Sequence, residues 1–130
     1  ILTAVANDIG FEDVFSRQVQ GLVNSKDLVV GISTSGESEN VVRGILAAKK
    51  KGAKTVALTG KGGGRLAKMA DMSVVVPSTS TPRIQEAHIT IGHILCELIE
   101  KKIFDKLSAL KQRHHCRRKP ILGSKLRVVY

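Results

Sequence analysis

The chain has 130 residues, 42% apolar and 25% charged, with 3% aromatic residues and no Trp, which excludes a disordered polymer and calls for one domain with a core of Val, Ile, Leu and Ala. No apolar run approaches the roughly 18 residues of a membrane span, no leader pattern opens the chain, and Cys96 and Cys116 lack CxxC partners, so a soluble intracellular protein without a disulfide framework or thiolate metal site is expected. The net charge of +10 suggests nucleic acid until it is located: residues 1–100 hold 11 basic and 10 acidic side chains, residues 101–130 hold 10 basic ones and a single acid, Asp105.

The chain opens on Ile1, which leads to the expectation that further residues precede it. Phe11 to Val23 reads as a helix, with Phe11, Val14, Phe15, Val19 and Leu22 at near-helical spacing and acids Glu12 and Asp13 at its positive end. Asn24 to Lys26 make a turn. Asp27 to Ser33 (DLVVGIS) is then a short apolar, β-branched run, the pattern of a parallel strand covered on both faces. After the turn STSGES, Glu39 to Lys51 is helical, closed by Lys49, Lys50, Lys51 and Gly52. Lys54 to Thr59 repeats the strand pattern, Gly60 to Gly64 reads as a mobile glycine loop, Arg65 to Ala70 as a short helix and Met72 to Pro77 as a third strand. From Pro82 to about Phe104 the chain is helical again, with Ile84, Ile91, Leu95 and Leu98 in one stripe that Ile94 and Ile99 widen. A face that wide exceeds what one sheet surface covers, so contact with another subunit is expected. The basic remainder, residues 105–130, holds Pro120 and Gly123, lacks sustained periodicity and is expected to lie outside the core. Its phosphate-backbone affinity would be salt-sensitive and sequence-blind, although a solvated appendage is the simpler reading. His114, His115 and Cys116 are adjacent, and neighbours rarely converge on one ion without distant partners.

Strands alternating with helices indicate an open parallel α/β sheet, whose ligands bind beyond the carboxyl ends of its strands. The loop after Ile32 is such a place. Ser33, Thr34, Ser35, Gly36 and Ser38 sit between a buried strand and a helix start, where unpaired N–H groups and the positive end of the helix dipole favour an anion. Two readings stand side by side: an ordinary serine cap, and a grip for a phosphate monoester, favoured because four hydroxyls exceed what one cap uses. Glu37 and Glu39 oppose an anion in part. A nucleophile elbow is excluded because Gly36 comes one residue late for G-x-S-x-G. The glycine run around Lys61 lacks the G-K-[ST] of a Walker loop, and Arg65 occupies the last small position of a dinucleotide fingerprint.

The late helix carries Gln85, Glu86, His88, His93, Glu97 and Glu100. Glu86, His93, Glu97 and Glu100 share a face, so a carboxylate could orient His93. Gln85 and His93 are two turns apart, about 12 Å along the axis, and reach one ion only if it sits between them. On spacing alone, a histidine satisfied in a core or interface is a better reading than a ligand.

The segments ANDIGFEDVFSRQV, VVGISTSGES, VALTGK and RIQEAHITIGHILCELIE, in that order, resemble the phosphoheptose isomerase branch of the sugar isomerase (SIS) domain family. The resemblance covers about Ile1 to Phe104. It implies a flavodoxin-like parallel sheet whose N-terminal helix and first strand are missing from this chain, so that residues 1–104 form a partial domain. It also implies a cytoplasmic homotetramer interconverting sedoheptulose 7-phosphate and glycero-manno-heptose 7-phosphate in lipopolysaccharide or other surface-heptose synthesis. Ser33, Thr34, Ser35 and Ser38 would hold the sugar phosphate, Asn7 and Asp8 would contact substrate, and Gln85 and His93 would bind zinc, with Gln85 also near substrate and His93 placed for proton transfer. The chemistry implied is an enediol route in which a base moves a proton between C1 and C2 while a Lewis acid polarises the carbonyl. In the family a further His and Glu, on a helix after an Asn-Gly-Gly segment, complete the zinc site, and neither is in this chain. A non-catalytic SIS paralogue that binds a protein such as the replication initiator is the alternative the same helix allows.

Overall fold

The computed structural model describes residues 1–113 and 126–129. Its elements run α1 (Leu2–Asp8), a 3-10 turn (Phe11–Asp13), α2 (Val14–Leu22), β1 (Leu28–Ser33), α3 (Glu39–Lys50), β2 (Lys54–Thr59), α4 (Gly64–Met69), β3 (Met72–Val75), α5 (Thr81–Arg113) and β4 (Leu126–Val129). The four strands form one sheet in the order β3-β2-β1-β4. All its pairings are parallel, so the α/β parallel sheet read from the alternation of strands and helices is the architecture found.

The core follows from two periodicities meeting. Residues of β1 are buried at Val29, Val30, Gly31 and Ser33, as befits a strand with neighbours on both sides. Helix α3 brings Val41, Val42, Ile45 and Ala48 down its 3.6-residue stripe onto that strand, and Val19 and Val23 from the α2 region, Ala57 of β2 and Leu66 of α4 complete the cluster. Helix α5 meets the sheet at the end of β2, where Ile84 is fully buried. Position 60 must be glycine for that contact, since a Cβ there would stand 2.4 Å from Ile84 Cδ1.

Several boundaries differ from those read along the sequence. The segment from Phe11 begins as a 3-10 turn and becomes α-helical only at Val14, leaving Phe11 and Leu22 exposed. Residues 2–8, where the sequence pattern predicts no element, are helical. Helix α5 passes Phe104 and reaches Arg113, because KKIFDKLSALKQR is rich in helix formers and contains neither Pro nor Gly. Within 105–130, expected outside the core, Leu126–Val129 pairs with β1, where its two β-branched residues, Val128 and Val129, suit a strand. His114, His115 and Cys116 lie outside the described residues. On α5 the apolar stripe is split: Ile84 is buried, whereas Leu95, Leu98 and Phe104 are exposed, the last at 65%.

Replacing Ile45 by Ala removes a side chain with no solvent exposure from the centre of the cluster. The change is expected to lower stability by about 2–5 kcal/mol, read as a shift in the urea midpoint with the slope unchanged.

Candidate anion site at the carboxyl end of the sheet

Strand β1 delivers Ser33 at its last position, beside Thr59 at the end of β2, and the chain turns through Thr34 to Glu37 before Ser38 opens α3. The hydroxyls of this turn face one another. Ser33 Oγ lies 2.9 Å from Ser38 Oγ and 3.4 Å from Ser35 Oγ. The Gly36 N–H donates to Ser33 Oγ at 3.2 Å and the Glu37 N–H donates to Ser35 Oγ at 3.2 Å. Ser38 occupies the N-cap position of α3, yet its side chain makes no capping hydrogen bond. Its hydroxyl is turned to Ser33, so the simple serine cap does not describe the loop.

The loop keeps its shape because a second loop abuts it. Gly36 has φ +70, and a Cβ there would lie 2.0 Å from the Gly63 carbonyl oxygen and 2.6 Å from its carbon, so both backbone conformation and space require glycine. The segment expected to be a mobile glycine loop is instead tied in place. The Gly60 N–H donates to the Thr34 carbonyl, Gly63 to Gly60, Lys61 to Ser78, and Leu66 to the Gly36 carbonyl. The glycines of residues 60–64 thus serve the serine loop as an abutment.

The two acids that oppose an anion are both engaged. Glu37 Oε1 accepts the Arg65 N–H at the start of α4, at 2.8 Å. Glu39 accepts from Arg43 at 3.0 Å and from Arg65 at 2.8 Å, and Arg43 also pairs with Asp13 at 2.7 Å. The Arg65 guanidinium first, then Arg43, holds the Glu39 carboxyl below the usual carboxylate range. No local motif carries this chain of charges, because its members are 4, 26 and 30 residues apart. The acid-rich start of α3 was its one visible signal.

The other expected site residues stand apart from the hydroxyl cluster. Asn7 and Asp8, at the end of α1, are exposed, and Asn7 Nδ2 donates to Asp8 Oδ1 at 2.8 Å. Gln85 and His93 are exposed on α5, and Glu86 on the same face pairs with Arg83. His88 is the buried histidine of the helix, at 5% exposure. Its Nε2–H donates to the Thr59 carbonyl at 3.1 Å, which ties α5 to the end of β2 and fixes the tautomer, since a carbonyl only accepts. Among the described residues, no group of three or more His, Cys, Asp or Glu side chains is placed to hold a metal ion. Gln85 and His93 supply two donors where zinc takes four, so these residues do not complete a zinc site.

The model of the SIS domain matches residues 5–91. The chain belongs to the SIS domain family. The SIS match contains the serine loop, its glycine abutment and the start of α5. Two relatives are phosphoheptose isomerases: one from Sulfurimonas denitrificans, 59% identical over 103 residues that cover 79% of this chain and 53% of the relative, and one from Nitratiruptor, 61% identical over 100 residues, 77% and 54%. Among solved structures, a phosphoheptose isomerase from Neisseria gonorrhoeae matches with TM-score 0.74 and 46% identity, covering 75% of this chain and 56% of that one. Another from Francisella tularensis gives 0.75 and 41%, covering 77% and 54%. The chain spans about half the length of the curated relatives it matches.

Two outcomes are expected for this SIS site. Gly36→Ala forces apart the two loops and costs upwards of roughly 1–3 kcal/mol, measured by urea unfolding. Glu39, whose carboxyl is depressed in the folded state, contributes stability that is present above the ordinary carboxylate range and lost as pH falls through its folded value. The stability difference between the wild type and Glu39→Gln should therefore narrow between pH ~7 and pH ~3, read from paired denaturation curves.

Proposed function

We propose that the chain carries the phosphate-binding part of an aldose–ketose isomerase whose substrate is sedoheptulose 7-phosphate and whose product is the corresponding glycero-manno-heptose 7-phosphate. The observation that supports this most directly is the convergence of Ser33, Ser35 and Ser38 hydroxyls on one another, at the carboxyl end of β1, with the neighbouring glutamates already engaged by Arg65 and Arg43. A tetrahedral dianion needs several short-range donors and no competing free carboxylate. Hydroxyls that now bond to each other can redirect to phosphate oxygens without backbone movement. Thr34 belongs to the same turn, and the first N–H groups of α3 add the positive end of its dipole. The phosphoheptose isomerases at 59% and 61% identity supply the choice of sugar.

With the phosphate held there, the far end of the sugar reaches for groups outside the loop. Asn7 and Asp8 are assigned to hydroxyls of the sugar. His93, exposed on α5, is assigned the proton transfer: a neutral imidazole takes the proton from C1, and the C1–H pair forms the C1–C2 double bond as the C2 carbonyl pair moves onto O2, which takes a proton from solvent to give the enediol. The imidazolium then returns its proton to C2 as O1–H gives its proton to solvent and C1=O forms. Zinc enters this proposal as an ion for which Gln85 and His93 give two donors, the remainder coming from outside the described residues. A neutral imidazole has one acceptor nitrogen, so His93 takes the proton with that nitrogen free of the ion. The exposed Leu95, Leu98 and Phe104 of α5 support assembly as a homotetramer. No helix of the described residues is long and apolar enough to cross a membrane, and a cytoplasmic place in surface-heptose synthesis completes the reading.

Calorimetric titration of the full chain with sedoheptulose 7-phosphate tests the phosphate grip, and should give saturable binding that Ser33→Ala or Ser35→Ala weakens about tenfold or more each, as loss of a hydrogen bond to a charged group predicts. Unchanged affinity in both variants would overturn it. Turnover of the same sugar with and without a chelator reads the catalytic and zinc assignments separately from binding.

A further inference from the structure

The loop between β2 and α4 carries a lysine among glycines, Gly60-Lys61-Gly62-Gly63-Gly64, and holds it where a side chain is disfavoured. Lys61 has φ +49, the one positive value at a non-glycine position among the described residues. Glycine enters that left-handed region freely, whereas a residue with a Cβ is strained there. Main-chain bonds fix the position on both sides. The Gly60 N–H donates to the Thr34 carbonyl of the serine loop at 3.1 Å, and the Lys61 N–H donates to the Ser78 carbonyl at 3.1 Å. Lys61 therefore directly follows the residue that touches the serine loop. Its side chain is exposed and pairs with no carboxylate among the described residues.

The serine loop calls for a cation that it does not itself contain. Ser33, Thr34, Ser35 and Ser38 offer donors without charge. Beside them, Asp13, Glu37 and Glu39 set three carboxylates against the two guanidiniums of Arg43 and Arg65, so this cluster keeps one negative charge. Glu37 meets the Arg65 backbone N–H and not its guanidinium. A phosphate monoester near neutral pH brings about −1.5 to −2 charges of its own, and like charges at short range repel.

We propose that Lys61 is the cation of the phosphate site: its ammonium closes over the serine loop, offsets the charge of the ester held by Ser33, Ser35 and Ser38, and so selects anionic over neutral sugars. This rests on the phosphate grip proposed above and supplies its charge. Lysine suits the task, being a compact point charge on a flexible four-carbon stem that meets a phosphate without the fixed geometry an arginine fork demands. The Arg65 and Arg43 guanidiniums are committed to Glu39 and Asp13. A lysine retained at a left-handed position, in a run where glycine is otherwise used throughout, is explained by what its ammonium does and not by the needs of the backbone.

The test titrates the full chain calorimetrically with sedoheptulose 7-phosphate and, separately, with inorganic phosphate, comparing the wild type with Lys61→Gly, Lys61→Arg, Ser33→Ala and Ser35→Ala. Lys61→Gly removes the ammonium and relieves the backbone. Its urea midpoint should be unchanged or higher, while its affinity for both ligands falls about fivefold, the upper range for a partly solvated ion pair. That loss should shrink as ionic strength rises from about 0.01 M to about 1 M, and Lys61→Arg, which keeps the charge, should bind as the wild type does. A merely structural lysine would move the midpoint and leave the salt dependence alone. Equal affinity of Lys61→Gly and the wild type, or a loss that salt does not alter, overturns the proposal; if the serine variants weaken binding in the same series, the phosphate grip stands without Lys61. Absence of binding to the wild type, or a loss in Lys61→Gly with none in either serine variant, overturns both readings. Should Lys61→Gly not fold, Lys61→Gln removes the charge and keeps the stem, and the same readings apply. Loss of fold in both overturns the proposal, because Lys61 would then serve the backbone.

Discussion

The contact between Gly36 and the Gly63–Gly64 backbone is the constraint on which the site depends. Two loops leave the carboxyl ends of adjacent parallel strands, β1 and β2, and must pass closer than any side chain allows. With no Cβ in the way, the turn after Ser33 tightens until the Gly36 N–H reaches Ser33 Oγ and the Gly36 carbonyl reaches the Leu66 N–H. That tightening sets the start of α3 close to the end of β1, and so brings Ser38 within 2.9 Å of Ser33. The hydroxyl cluster is therefore a consequence of backbone packing between two loops, and the sheet beneath them, with Ser33 and Thr59 in register, makes the approach possible.

Electrostatics follow from the same closeness. An anion site beside Glu37 and Glu39 would be self-defeating if both carboxylates faced it unpaired. Because α4 begins where the glycine loop ends, Arg65 reaches both acids, its N–H donating to Glu37 and its guanidinium to Glu39, and Arg43 links Glu39 onward to Asp13. Each of these pairs is partly exposed and individually worth little in stability. Their effect is on the charge presented around the loop. Farther along the same layer, His88 bonds to the Thr59 carbonyl, so α5 is anchored to the strand end that also carries the glycine loop.

Much of this was legible in the residues. The apolar β-branched runs DLVVGIS and KTVALT announced buried parallel strands, the stripe Val41, Val42, Ile45 and Ala48 announced the helix over them, and the density of hydroxyls in STSGES marked the anion loop. These signals are local: period, composition and turn chemistry act within a few residues. The glycine run after Thr59, expected to be mobile and found tied in place, differs for the opposite reason. Its Gly63 and Gly64 backbone lies against Gly36, some 27 residues away, and nothing within the run distinguishes a loop that yields from one that is wedged. The continuation of α5 to Arg113 is legible in its unbroken helix formers, although the concentrated basic charge there is also the pattern of a tail. His88 and His93 lie five residues apart on one helix, and only packing decides that the first is buried against Thr59 while the second is exposed.

By itself the sequence determined the fold class, the order of strands and helices around the core, and the position of the serine loop, because hydrophobic period and the chemistry of turns are properties of neighbouring residues. Tertiary structure alone decided which way the hydroxyls turn, which arginines hold the two glutamates, why Gly60, Gly63 and Gly64 have no room for a Cβ, and that Leu126–Val129 lies along β1. These depend on contacts between residues from 4 to about 100 positions apart, whose distances are set only when the sheet has closed and the helices have docked on it.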